Sequence, residues 1–214
     1  MVKPSTPVRI EPADLRARLE AGAVLVDFRD PRVFGQGHVA GSLNIAIDSP
    51  QLGERVSWFA PPGKPLVLLV ETEADLGRAL PALARVGLDD VVGYVVGPAA
   101  VRGSGLSIAT LQNVTAPELA TRLSAERYLV VLDVREDVEW DEGHVPGALH
   151  IPMRQVAGRL SEVPRDRRVA VMCRGGARSS LVASMLLAHG FANLVNTWGG
   201  IAGWLEAGLP VVQD

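Results

Sequence analysis

The chain has 214 residues, 48% of them apolar and 21% charged, a globular composition long enough for one large domain or two of roughly 100 residues. A formal net charge of −3 argues against a nucleic-acid surface or an anionic-membrane surface, since both need a basic excess. No run approaches the roughly 18 apolar residues of a membrane span, and the opening MVKPSTPVRI has no apolar leader core, so a cytoplasmic protein with small-molecule partners is expected.

The first predicted element is a helix in PADLRARLEAG, which opens with Pro12 in a first turn where the missing N–H costs nothing. VLVDF, from Val24, and PLVLLV, from Pro65, read as strands, and so do YLVVLDV, from Tyr128, and VAVM, from Val169. These runs are continuous and rich in β-branched residues rather than alternating, the pattern of parallel strands buried on both faces. A second Pro-initiated helix is predicted in APELATRLSAE, and a third segment ends in AHG with Gly190 as its C′ residue. Strands alternating with helices imply a three-layer α/β/α sandwich around a mostly parallel sheet.

The pattern occurs twice. LVDFRDPRVFGQGHVAGSLNIAI, from Leu25, lies over VLDVREDVEWDEGHVPGALHIPM, from Val131, matching Asp27 to Asp133, Arg29 to Arg135 and His38 to His144. Further on, Gly87 matches Gly190, and the length change between the two blocks falls in the connections SWFAPPGKP and SEVPRDRR, where it is tolerated. Gly and Ser punctuate VRGSGLSIATLQ, so the boundary between copies is expected within residues 101–112, giving domains 1–107 and 108–214. Trp58 and Phe59, in the first copy's connection, are candidates either for an interface between the domains or for packing within their own.

Cys173 is the single cysteine, so no internal disulfide is possible; with no CxxC spacing and with His38, His144, His150 and His189 scattered, no metal site is expected. A lone cysteine is commonly a small buried hydrophobe, but VAVMCRGGARSS places this one after a buried strand, before two glycines, between arginines and at a helix start near Ser179. In open α/β sheets, ligands bind at the carboxyl ends of the strands. Gly175 and Gly176 permit the backbone N–H groups to turn inward as an anion nest, and the helix start adds its own unpaired donors. Such surroundings draw a thiol pKa from about 8.5 to roughly 3.5–7.5, so Cys173 is expected to be a thiolate nucleophile. Asp133, Arg135, Glu139 and His144 suggest a triad, yet no Ser nucleophile motif accompanies them and bracing of turns is the expected role. Trp198, Gly199, Gly200 and Trp204 read as packing and turn residues, with Trp198 a candidate pocket wall.

CRGGARS resembles the active loop of single-domain rhodaneses, LDVREDVEWDEGHVPGALHIP their second hallmark and WGGIAGWLEAGLPV their ending. The likeness covers residues 112–212 and, more weakly, 8–103; the tandem order also resembles the rhodanese tail of metallo-β-lactamase-fold persulfide dioxygenases, without their metal domain. It implies two rhodanese-like three-layer α/β/α domains and a ping-pong sulfur transfer. Cys173 would take sulfane sulfur from thiosulfate or a low-molecular-weight persulfide and pass it to cyanide, sulfite or a thiol. The amides of Arg174, Gly175, Gly176, Ala177, Arg178 and Ser179 would cradle the persulfide. Arg178 would orient the loop and attract the donor, Arg174 would meet the donor's charge, and no cofactor is implied.

Two alternatives stay open: a sulfur carrier serving a partner persulfide dioxygenase or desulfurase, and, more weakly, a cysteine phosphatase or arsenate reductase. Phosphatases on a related fold place five residues between Cys and Arg, whereas four separate Cys173 from Arg178, a ring suited to one sulfur atom. In the first copy, Val70, Glu71, Glu73 and Asp75 fall at the places of Cys173, Arg174, Gly176 and Arg178, so that domain is expected to be inactive and to repel anionic donors. Oligomeric state is left open.

Overall fold

The computed structural model describes residues 7–213; the first six residues, part of the opening stretch read above, lie outside them. The chain divides into two compact units between Thr110 and Leu111. The first runs α1 (Pro12–Glu20), β1 (Val24–Asp27), α2 (Pro31–Gln36), β2 (His38–Val39), β3 (Leu43–Asn44), α3 (Leu52–Phe59), β4 (Leu66–Val70), α4 (Leu76–Arg85), β5 (Val91–Val96), α5 (Gly97–Gly103) and β6 (Ile108–Ala109). The second runs β7 (Gln112–Thr115), α6 (Ala116–Ala125), β8 (Leu129–Asp133), α7 (Asp137–Asp141), β9 (Leu149–His150), β10 (Arg168–Met172), α8 (Ala177–Ala188), β11 (Leu194–Trp198) and α9 (Gly200–Glu206).

The main sheet of the first unit has the order β3-β1-β4-β5 and that of the second β7-β11-β10-β8-β9, with every one of these neighbours parallel. The central strands are buried along their length, β4 at all five positions and β10 at four of five, as their unbroken apolar runs require. In the first unit Leu15 of α1 and Val101 of α5 meet Leu25, Val67 and Leu69 on one face, while Val26, Leu66 and Leu68 alternate to the other and are equally buried. In the second, Leu119 of α6 and Ile201 and Trp204 of α9 cover Val131, Ala170 and Val195, and α8 packs on β10 and β11. Each fully buried Leu or Ile contributes about 1.5–3 kcal/mol to these cores. Both units are thus α/β domains with parallel central sheets.

Ile108 and Ala109 pair antiparallel with Val39 and His38, and Ala40 N–H donates to the Ser107 carbonyl at 2.9 Å, so the division falls a few residues after position 107. The Gly- and Ser-punctuated stretch 101–112 thus contains the division, and its residues up to Thr110 complete the first unit as the end of α5 and β6. The second unit repeats the device with its own tail, as His144 and Val212 exchange backbone hydrogen bonds at 3.0 and 2.9 Å. Trp58 and Phe59 occupy the last turn of α3, half-buried. The strand registers equate the copies: Asp27 pairs with Leu69 and Asp133 with Met172, so the following residues, Val70 and Cys173, hold the same position at the carboxyl edge.

Candidate active site

Cys173 directly follows β10 at that edge and is only 2% exposed. Its immediate partners are polar: Gly176 N–H donates to Sγ at 3.1 Å, and the Ser179 hydroxyl lies 3.4 Å from it. Gly176 has φ 112°, and a Cβ there would stand 3.0 Å from Cε3 of Trp198, so both the bend and the Trp198 wall require glycine. With the bend completed at Gly176, α8 begins at Ala177, two residues before the expected start, and Ala177, Arg178 and Ser179 form its first turn. The unpaired donors and the positive end of this twelve-residue helix meet the loop.

Strand end β11 and helix α9 support the loop from below. Ile201 N–H donates to the Cys173 carbonyl at 2.8 Å, Ala202 to Arg174 at 3.1 Å and Gly199 to Gly175 at 3.1 Å. Gly200 makes this approach possible, for at its φ of 53° a Cβ would lie 2.1 Å from the Cys173 oxygen and 2.6 Å from that of Arg174. The WGG sequence is therefore the floor of the cysteine loop. Arg174 and Gly175 are exposed on the outer side of the loop.

Arg178 turns to Glu139 of α7, donating from Nη1 to Oε2 at 2.5 Å and from Nη2 to Oε1 at 2.7 Å. This fork of hydrogen bonds holds the Glu139 carboxyl below its ordinary range, and it raises Arg178 further above its own. Arg178 thus anchors the loop to α7 with its charge largely matched, whereas Arg174, next in the chain to Cys173, is exposed. The remaining polar residues brace α7: Arg135 chelates Asp133 (Nε to Oδ2 2.9 Å) and donates to the carbonyls of Glu139 and Gly143 at 2.6 and 2.9 Å. His144 and His150 stack on Trp140 at ring-centroid distances of 3.4 and 4.4 Å. The first unit keeps the same brace, with Arg29 Nε 2.9 Å from Asp27 Oδ1 and His38 stacked on Phe34 at 3.8 Å.

Two residues absent from the sequence-based site, Asn196 and Asn113, extend the hydrogen-bond chain that starts at Ser179. Asn196 of β11, fully buried, accepts from the Ser179 hydroxyl at 2.6 Å, and its Nδ2 donates to Asn113 Oδ1 at 2.8 Å and to the Gly176 carbonyl at 3.2 Å. The signal was an asparagine inside the apolar run LVNTW, since a buried amide requires partners. At the corresponding place of the first unit, Val70 is buried, and Glu71, Thr72, Glu73 and Ala74 are exposed. That loop closes on itself, Asp75 accepting from Thr72 N–H at 2.8 Å, and Glu73 pairs with Arg9 at 3.0 Å. Among the described residues no group of three or more His, Cys, Asp or Glu could hold a metal ion, and no helix is long and apolar enough to cross a membrane.

Fold and site together define a class: paired parallel α/β domains, one of which carries a cysteine loop at the carboxyl edge of its central strand. The rhodanese-like domain family matches residues 11–97 and 115–207, and the chain belongs to that family as a tandem member. A sulfurtransferase of Allochromatium vinosum is 35% identical over 102 residues, 48% of this chain and 95% of that protein. The thiosulfate sulfurtransferase GlpE of Pseudomonas entomophila is 34% identical over 88 residues, 41% of this chain and 80% of that one. A crystal structure of a rhodanese-related protein from Thermoplasma volcanium is 31% identical with a TM-score of 0.44, covering 48% of this chain and 99% of its own.

Proposed function

We propose that the chain is a sulfurtransferase with one active site, at Cys173, and that its first unit is an inactive rhodanese-like domain. The observation that carries this reading is the sulfur's setting: an inward amide at 3.1 Å, a hydroxyl at 3.4 Å and a helix start, all on one thiol at the carboxyl edge of the sheet. Family membership and the sulfurtransferase relatives support it.

In the proposed first step, the Cys173 thiolate attacks the sulfane sulfur of thiosulfate; the donor's S–S bond breaks and its electron pair leaves on sulfite. A persulfide donor would lose the corresponding thiolate. In the second step, cyanide, sulfite or a thiolate attacks the outer sulfur, and the pair returns to Sγ. The amides from Arg174 to Ser179 would receive the outer, anionic sulfur in the way an oxyanion hole receives developing charge. Arg174 would meet the donor's negative charge, and Arg178 would fix the loop through Glu139. The engagement of both Arg178 Nη atoms by that carboxylate favours sulfur over phosphoryl chemistry, which would need the guanidinium for the phosphate oxygens. Thiocyanate production from thiosulfate and cyanide, lost in Cys173→Ser, tests the reading; equal rates in both proteins would end it. Sulfur uptake without turnover on small acceptors would instead assign the chain to the sulfur carriers.

A further inference from the structure

Ser179 has one hydroxyl proton and two candidate acceptors, Asn196 Oδ1 at 2.6 Å and Cys173 Sγ at 3.4 Å. The orientation of the Asn196 amide is fixed by its other contacts: the Gly176 carbonyl accepts only, so the atom facing it at 3.2 Å must be Nδ2, which also donates to Asn113. Oδ1 is thereby turned to Ser179, which must donate to it. The Ser179 hydroxyl and the Asn196 amide lie out of bulk water, both residues being 0% exposed. In this arrangement an uncharged thiol can donate to the Ser179 oxygen, but a thiolate would face a lone pair unless the hydroxyl turned towards it.

We propose that Asn196, held by Asn113, parks the Ser179 proton while Sγ is neutral and releases it to Sγ when that atom carries charge, making Asn196 a positioning residue and Ser179 a catalytic one. The proposal rests on the sulfur-transfer reading for its use. In that reaction Sγ is anionic before sulfur uptake, neutral while the charge sits on the outer sulfur of the persulfide, and anionic again as the leaving group of the second step. The hydroxyl would follow this cycle by rotation alone, with no proton exchanged, favouring Sγ as both nucleophile and leaving group.

The test is the pH profile of iodoacetamide alkylation of the reduced protein, which reads the sulfur without requiring any sulfur donor. Ser179→Ala removes the donor, and the pH of half-limiting alkylation should rise by about one unit, the tenfold weight of a hydrogen bond to a charged group. Asn196→Leu removes the competing acceptor, leaves the hydroxyl to the sulfur, and should move the midpoint down. Asn113→Ala, on the edge strand β7, should move it down by less and keeps the test available if Asn196→Leu does not fold, as circular dichroism would show. The double variant Ser179→Ala/Asn196→Leu should match Ser179→Ala. Opposite signs support the proposal, because a merely structural role would loosen the loop and shift both single variants alike; shifts of one sign, or none, overturn it. Intact mass of the wild type after thiosulfate treatment is read in parallel, so a failure to take up sulfur would count against the sulfur-transfer reading and not against the hydroxyl arrangement.

Discussion

Gly200→Ala tests how the cysteine loop is supported. The new methyl would begin 2.1 Å from the Cys173 carbonyl oxygen, and ordinary contact starts at 3.4 Å, so loop and helix must separate by more than an ångström. That movement breaks the bonds from Ile201 N–H to Cys173 and from Ala202 N–H to Arg174, now 2.8 and 3.1 Å, at about 1 kcal/mol each. Holding alanine at φ 53° adds about 1–2 kcal/mol, for a total of about 3–4 kcal/mol. Gly190→Ala is the control: its φ is 77°, but a Cβ there meets nothing within 4 Å, so it carries the backbone strain without the collision. Urea unfolding should place Gly200→Ala about 2 kcal/mol below that control. Single-turnover sulfur uptake from thiosulfate should fall about 100-fold, the usual penalty for displacing a reacting atom by an ångström. Stability no lower than the control together with uptake at the wild-type rate would refute the role given to the WGG floor.

Three further variants test the same geometry. Glu139→Gln keeps the shape of the anchor but removes its charge and should slow sulfur uptake about tenfold at pH 7. Because Arg178 holds the Glu139 carboxyl below the ordinary 4.5, the stability difference between wild type and this variant should be complete above pH 4.5 and close as pH falls through the lowered value, as urea midpoints against pH would show. Arg174→Glu should reduce uptake from thiosulfate several-fold and weaken its decline with added salt, read in stopped-flow traces at two ionic strengths, because it reverses the charge of the exposed residue that follows Cys173. Val70→Cys should acquire no sulfur, as mass spectrometry would show, because the loop beyond it is acidic and is closed by Thr72 and Asp75.

The cysteine loop could be read from sequence because its signals are local: an apolar strand, a thiol, two glycines and a helix start within a dozen residues. The duplicated plan could be read because Asp133, Arg135 and His144 recur as Asp27, Arg29 and His38, and the strand registers place Val70 where the comparison of copies put it. The link from Arg178 to Glu139 spans 39 positions and joins helices α8 and α7, whose proximity depends on β8 and β10 being neighbours, an order that local patterning does not encode. The same holds for Asn113, which reaches Asn196 across 83 positions because β7 pairs with β11. The boundary could be placed within residues 101–112 because Gly and Ser punctuate that stretch, and the chain divides there, between Thr110 and Leu111; the pairing of Ile108 and Ala109 with Val39 and His38, which carries the first unit past position 107, is not a local signal.

The central claim is that Cys173 alone accepts transferred sulfur. Treating the reduced protein with thiosulfate or glutathione persulfide, then mapping peptides by mass spectrometry, measures it most directly. One added sulfur atom on the peptide containing Cys173, and none on Cys173→Ser, is the result expected. An unmodified Cys173 after treatment with either donor, or sulfur retained by Cys173→Ser, would contradict it.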